Sequence, residues 1–97
     1  MIKFWLIYRK EDAVRNKAYI EMYQNYAPDY GLACEVVYVE DLQYGVKNGK
    51  PYLSNAISGL PDFAIVRAIL PSLNKQLELL GIPCLNNYQV SSICNDK

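Results

Sequence analysis

The hydrophobic positions of this chain form short continuous runs and helical stripes, an alternation typical of an α/β protein. Residues 3–8 are an apolar run that ends at charged Arg9, which predicts a strand buried on both faces. A second apolar run covers residues 34–39. Between the runs, a stripe predicts a helix with Asp12 as its N-cap and Gly31 as its stop signal. The stripe residues are spaced four apart and widened by two tyrosines: Val14, Ala18, Met22 and Tyr26, with Tyr19 and Tyr23. The chain therefore opens with a predicted strand–helix–strand unit of parallel neighbours.

The second half of the chain begins with a turn signal. Asn48-Gly49 is a strong hairpin sequence and predicts two antiparallel strands inserted after the second strand. Residues 53–61 show no strong pattern, so we expect the crossover back to the sheet to lack a full helix. Residues 63–66 predict a third core strand, introduced by Pro61-Asp62 and followed by Arg67.

The last third of the chain predicts a helix, a short strand and a final helix. The first helix has three leucines on one face and ends at Gly81, before Pro83. Residues 83–85 predict a short fourth strand, and Asn86 or Asn87 is the predicted N-cap of the last helix. The apolar residues of the two helices are Leu73, Leu77 and Leu80 in the first, and Val90, Ile93 and Cys94 in the second.

These elements predict an open, mostly parallel sheet of about four strands with helices on both faces and a hairpin inserted around Asn48-Gly49. In such sheets, ligands bind beyond the carboxyl ends of the strands, near the switch point in strand order. We therefore expect the polar residues that directly follow the strands to share one edge. They are Arg9, Lys10, Glu40, Asp41, Arg67, Asn86 and Asn87.

Several of these polar residues have two interpretations. Arg67 can hold a carboxylate or phosphate in a bidentate fork, or it can form a structural ion pair with Glu40 or Asp41. Arg9 and Lys10 can steer an anion, or they can form a solvated charged turn. Asn86, similarly, either caps the last helix or contacts a ligand through its amide.

Composition narrows the function classes. The 97 residues are enough for one domain, and 52% hydrophobic with 21% charged residues is typical of a folded chain. Ten basic and ten acidic residues cancel, so charge does not favour nucleic acid or a lipid surface as a partner. No apolar stretch is long enough to span a bilayer and no signal peptide is recognisable, which predicts a cytoplasmic protein.

Residue usage also limits the chemistry. The chain has no histidine, which excludes histidine-based acid–base catalysis and most zinc sites. Its three cysteines lack any Cys-x-x-Cys spacing and are expected to be reduced core residues. Nine tyrosines are many for this length; they either line half-buried rims or form a binding face. No glycine-rich phosphate loop follows the first strand, so a dinucleotide site is not supported.

A family resemblance rests on two stretches of the sequence. One is the strand that ends in Arg67, and the other is the run that begins Gln-Leu-Glu-Leu-Leu-Gly-Ile-Pro-Cys-Leu-Asn-Asn at Gln76 and ends with Asp96-Lys97. Together they resemble the end of the N-terminal, pre-ATP-grasp domain of ATP-grasp ligases, closest to the RimK-like α-L-glutamate ligases. Residues 61–97 carry the resemblance, while the first strand–helix–strand unit agrees in architecture only.

The resemblance implies a Rossmann-like, pre-ATP-grasp domain followed by an ATP-grasp domain beyond Lys97. Such ligases use ATP and Mg²⁺ to convert a small-molecule or peptide carboxylate to an acylphosphate, which an amine attacks to form an amide-type bond. By the same resemblance, Lys97 contacts ATP, and Arg67, Asn86, Arg9 and Lys10 are candidates for the cleft edge. The metal-binding carboxylates would lie in the following domain, so no catalytic residue or metal ligand is expected within this chain.

Two other function classes remain open at this point. A stand-alone Rossmann-like or flavodoxin-like module can bind a partner through its tyrosine-rich helix and hairpin, without ATP. A small independent enzyme is the third class, disfavoured by the lack of histidine and of a phosphate loop. The substrate, the acceptor amine and the oligomeric state, a homo-oligomer included, are left open by the sequence.

Overall fold

The computed structural model describes residues 2–55 and 59–85 and shows a small mixed α/β fold. Its strands and helices follow in this order: β1 Ile2–Tyr8, α1 Lys10–Arg15, α2 Lys17–Tyr26, β2 Leu32–Tyr38, β3 Leu42–Lys47, β4 Lys50–Asn55, β5 Phe63–Val66 and α3 Pro71–Leu79. Short 3₁₀ segments, Ala27–Tyr30 and Val39–Asp41, flank β2. No helix within the described ranges is both long and apolar enough to cross a membrane.

The sheet is parallel and open, with the strand order β2-β1-β5. Central β1 is buried along most of its length because it has a strand on each side and packed elements on both faces. The backbone N–H of Lys3 donates to the Asp62 carboxylate at 2.9 Å, and Asp62 N–H donates to the Lys3 carbonyl at 2.8 Å. These two bonds align the start of β5 with β1, as expected for a strand introduced by Pro61-Asp62.

Two hydrophobic clusters lie on opposite faces of the sheet, because successive side chains of a strand point to opposite sides. We call the surface under α1 and α2 face A and the surface under α3 and the hairpin face B. The buried face A residues are Phe4, Leu6, Tyr8, Ala13, Ile20, Ala27, Leu32, Phe63 and Ile65. The buried face B residues are Trp5, Ile7, Val37, Leu53, Ala64, Leu73, Leu77 and Ile82. Helices thus cover both faces, as the sequence predicts.

The first predicted helix is two helices, and the prediction of its buried stripe is wrong. Asn16 interrupts it, because its side-chain amide donates to the Asp12 carbonyl at 2.7 Å and competes with the helical backbone bonds. Asp12 lies inside α1, and Arg9 occupies the N-cap position. The residues spaced four apart face solvent, with Val14 78% and Tyr26 60% exposed. The two tyrosines that widen the stripe, Tyr19 and Tyr23, are half-buried, and Tyr23 packs against face A.

The buried positions of this helical segment are spaced by seven residues instead of four. They are Ala13, Ile20 and Ala27. Seven residues are two helical turns, so these side chains stay on one side of the helix. Val14 lies next to Ala13 in sequence and therefore about 100° away around the helix, so the stripe that starts at Val14 begins outside the core.

The predicted hairpin is confirmed. β3 and β4 pair antiparallel around Asn48 and Gly49, whose φ values of 54° and 75° are the left-handed values that a tight hairpin turn requires. The hairpin packs against α3, where the buried Gln76 amide donates to the carbonyl oxygens of Gly45 and Tyr52, each at 2.8 Å. Gln76 therefore connects the hairpin to the helix that covers face B.

The predicted fourth strand is reduced to a single bridge. Cys84 pairs with Ala64 in parallel, through Ala64 N–H to the Pro83 carbonyl at 2.9 Å and Leu85 N–H to the Ala64 carbonyl at 2.8 Å. The α3 prediction is confirmed, since Leu73 and Leu77 are fully buried and Gly81 has a φ of 74°. The predicted last helix lies outside the described residues, as do residues 56–58 of the crossover.

Candidate functional site

The carboxyl ends of β1 and β5 form the edge at which the sequence predicts a ligand site. The chain runs from β1 to its neighbour β2 on one side of the sheet and later returns to the other side of β1 as β5. The switch point in strand order therefore lies between β1 and β5. The Arg67 backbone N–H donates to the Ile7 carbonyl at 2.8 Å, which places Arg67 directly at this edge. The predicted convergence of Arg67 with the segment that follows β1 is therefore present in the fold.

Lys10 joins the segment after β1 to the segment after β2. Its backbone N–H donates to the Glu40 carboxylate at 3.1 Å, and its ammonium group lies 3.3 Å from an Asp41 carboxylate oxygen. The same ammonium lies 6.0 Å from the centre of the Tyr38 ring. Because Lys10 has acidic partners on the neighbouring loop, the structure gives it a bracing role at the edge of the sheet.

Arg67 has a different environment from Lys10. Its guanidinium lies over the Tyr19 ring, 5.3 Å from the ring centre, and its side chain is exposed. Among the described residues, no carboxylate pairs with Arg67; Glu40 and Asp41, the partners considered from sequence, instead contact Lys10. Arg67 thus presents a positive charge at the edge while the Tyr19 ring covers one side of its guanidinium.

Two tyrosines of α2 lie beside Arg67. The Tyr19 and Tyr23 rings meet edge to face at 5.5 Å between centres, and their side chains are hydrogen-bonded. Burial, followed by the charge and hydrogen bond of Tyr19, raises the pKa of Tyr23 to about 12, although Arg67 acts in the opposite direction. The Tyr23 hydroxyl therefore keeps its proton at neutral pH and remains a hydrogen-bond donor.

Tyr8 is the innermost member of this group. It is the last residue of β1, its side chain is 2% exposed, and its hydroxyl has no hydrogen-bond partner among the described residues. Tyr8 belongs to face A, as Tyr23 does, and it is close enough to influence the Tyr23 pKa. Strand alternation also puts Arg67 on face A, two residues after Ile65. We call Tyr8, Tyr19, Tyr23 and Arg67 the tyrosine–arginine cluster.

The other predicted site residues do not join this cluster. Arg9 is half-buried and its carbonyl accepts the Ala13 N–H at 2.9 Å, so its backbone begins α1. Asn86 and Lys97 lie outside the described residues, and their predicted roles stay predictions.

The described cysteines have environments that suppress thiolate chemistry, although the expectation of core cysteines is wrong for Cys84, which is exposed, while Cys34 is half-buried. Burial raises the pKa of Cys34 to about 11, and burial followed by the nearby Glu78 charge raises the pKa of Cys84. Both thiols are therefore protonated at neutral pH. Within residues 2–55 and 59–85, no group of three or more His, Cys, Asp or Glu side chains is placed to hold a metal ion.

Comparison of the chain with protein-family models, curated proteins and solved structures found no match. The functional argument therefore depends on the residues themselves. Sequence reasoning singled out Arg67 but missed its association with Tyr8, Tyr19 and Tyr23. The proximity of Tyr8 to Arg67 could have been predicted, because strand alternation places both on one face of the sheet. The contacts of Tyr19 and Tyr23 could not, because they depend on how α2 packs on the sheet.

Proposed function

We propose that this chain is the N-terminal, pre-ATP-grasp domain of an ATP-dependent carboxylate–amine ligase. The observation that carries the proposal is Arg67, a cation without a described carboxylate partner at the carboxyl ends of the neighbouring parallel strands β1 and β5. The resemblance of residues 61–97 to RimK-like ligases supports the same assignment. In the proposed Rossmann-like layout of four strands, the segment around Cys84 takes the fourth position beside β5.

In this function, the domain forms one edge of the substrate and ATP cleft and is not catalytic alone. Arg67 holds an anionic group of the substrate, and Lys10 braces the loops beside it. Lys97 contacts the nucleotide at the entrance to the ATP-grasp domain that follows. ATP and Mg²⁺, bound by that domain, provide the chemistry that activates the carboxylate for attack by an amine. The proposal keeps the expected cytoplasmic location.

The direct test is ADP formation by the full-length protein with Mg-ATP and L-glutamate, which serves as both a carboxylate and an amine. We expect Lys97→Ala to reduce ADP formation strongly while the melting temperature stays within the range of a surface substitution. Lys75→Ala, at an exposed position of α3, is the matched control and should retain activity. Unchanged ADP formation in Lys97→Ala would contradict the role of Lys97, and a full-length protein that fails to bind Mg-ATP would reject the ligase function.

A second candidate function is supported by the exposed face of the first two helices. Val14, Met22 and Tyr26 are 78%, 41% and 60% exposed, and Val14 lines an open groove of about 570 Å³ between the helices and β2. Exposed apolar side chains on consecutive helices are typical of an interaction surface. A stand-alone binding module would bind its partner without ATP and lose binding in Val14→Lys, whereas the ligase would keep its activity in that variant.

A further inference from the structure

The tyrosine–arginine cluster combines one cation with hydroxyl groups at the end of β1. The Tyr19 ring lies on one side of the Arg67 guanidinium at 5.3 Å, which restricts the orientation of that guanidinium. A guanidinium that has a ring near one side can still donate from its nitrogens to two oxygens of an anion. Tyr19 thus orients Arg67, and no described carboxylate occupies the hydrogen-bond donors of its guanidinium.

The Tyr8 hydroxyl is the second, independent observation. A buried hydroxyl without a partner costs stability, so buried tyrosine hydroxyls are normally hydrogen-bonded. The Tyr8 hydroxyl is buried without a partner among residues 2–55 and 59–85, in the group that also contains Tyr23. Tyr8 and Arg67 directly follow the paired residues Ile7 and Val66, so they are neighbours on face A. An unpartnered donor and a guanidinium without a described carboxylate partner at these two positions indicate an acceptor from outside these residues.

The electrostatic surroundings favour a negatively charged acceptor. The acidic residues at this edge, Glu40 and Asp41, contact Lys10. Arg67 has no described neutralising carboxylate, and the Tyr8 hydroxyl has no described acceptor, so both groups can donate to an anion. This combination repels cations and satisfies the donor requirement of an oxyanion.

The geometry points to an oxyanion-binding site in which Arg67 and the Tyr8 hydroxyl bind two oxygens of a carboxylate or a phosphate, while Tyr19 and Tyr23 position Arg67. Carboxylate and phosphate share this chemistry, and separate titrations distinguish them. The inference rests on the proposed function for the role of the bound group, since it assigns Arg67 and Tyr8 to the substrate anion. Binding itself requires neither ATP nor ligation.

The test is an NMR titration of the purified protein that follows the Arg67 side-chain Nε–H signal. Sodium acetate and sodium phosphate are the probes, and sodium chloride at equal ionic strength corrects for screening. We expect saturable shifts with acetate, phosphate or both, and the probe of higher affinity identifies the oxyanion. Absence of saturation with both probes overturns the inference.

Variants distinguish binding at this site from nonspecific binding to the surface. Binding is followed through the backbone NMR signals of Ile7 and Val66, which lie at the ends of β1 and β5. We expect Arg67→Met to weaken binding by about tenfold or more, because the fork donors are lost. Tyr26→Phe removes an exposed hydroxyl from α2, the helix that carries Tyr19 and Tyr23, and should leave the affinity unchanged. Equal affinities for Arg67→Met and the original protein, or equal losses in Tyr8→Phe and Tyr26→Phe, overturn the assignment.

Tyr8→Phe has a second readout that a purely structural tyrosine would not show. Removing an unpartnered buried hydroxyl should raise the melting temperature without the probe and lower the affinity for the probe. A fall in both melting temperature and affinity would indicate that the hydroxyl has an internal partner, and it would reject Tyr8 as a ligand-binding group. If binding fails while the full-length protein ligates, the site alone is rejected; if binding succeeds without ATP-dependent ligation, the proposed function alone is rejected.

Discussion

Replacement of Gln76 by methionine tests the connection between the hairpin and the sheet. Gln76 is 7% exposed, and its amide nitrogen donates to two hairpin carbonyls, those of Gly45 and Tyr52, at 2.8 Å each. Methionine keeps a similar length and volume but cannot donate. Each hydrogen bond contributes about 1 kcal/mol, so the loss of two should lower the free energy of unfolding by roughly 2 kcal/mol. In a domain of this size, that corresponds to a fall in melting temperature of about 10 °C.

The assay is urea denaturation followed by circular dichroism, combined with amide hydrogen exchange of β3 and β4. We expect the strands of the hairpin to exchange faster in Gln76→Met, because their packing against α3 is weakened. Gln24→Met, at an exposed position of α2, is the matched control and should change the free energy of unfolding by less than about 0.5 kcal/mol. A Gln76→Met protein as stable as the Gln24→Met control would refute the reasoning.

Three further predictions concern the core, the alkaline limit of stability and the hairpin turn. Leu73→Ala should lower the free energy of unfolding by about 2–5 kcal/mol in urea denaturation, because Leu73 is fully buried, whereas Leu79→Ala at a 56% exposed position should cost far less. The pKa of Cys34 is raised to about 11 and that of Tyr23 to about 12, so the folded state holds these protons more tightly than the unfolded chain. Their stabilising contribution is complete below pH 9 and lost as the pH rises toward 12, and urea midpoints measured between pH 8 and pH 12 should fall accordingly; constant midpoints would show that these shifts are absent. Gly49→Ala should destabilise the hairpin by about 1 kcal/mol, because the φ of 75° is unfavourable for a residue with a Cβ; a thermal melt identical to that of the original protein would contradict a left-handed turn.

The first helical segment shows where sequence periodicity is insufficient. Val14 and Tyr26 fit a spacing of four, but the chain buries Ala13, Ile20 and Ala27 instead. The sequence offers enough apolar residues for two different helical faces. Which face is buried depends on the break at Asn16 and on the side chains that β1 presents to the helix, and both are consequences of packing.

The candidate site, too, was predicted from the sequence only in part. Placement of Arg67 at the end of a core strand follows from the apolar run before it, and its place on the sheet edge was predicted from sequence. Its neighbours were not, because the sequence suggested Glu40 or Asp41 as ion-pair partners and did not indicate that Tyr19 lies beside it. In the fold Lys10 contacts those two acids, and Arg67 lies over Tyr19.

The sequence by itself determined the features whose causes are local. Apolar runs specified β1, β2 and β5, positive-φ turn residues specified the hairpin, and leucine spacing specified the buried face of α3. Only the tertiary structure decided the contacts between distant residues. Gln76 and Gly45, for example, are 31 residues apart, and nothing in either segment alone indicates that they meet. Local features depend on the conformational preferences of a few residues, whereas distant contacts depend on how complete helices and strands pack. The same packing brings together the residues of the tyrosine–arginine cluster.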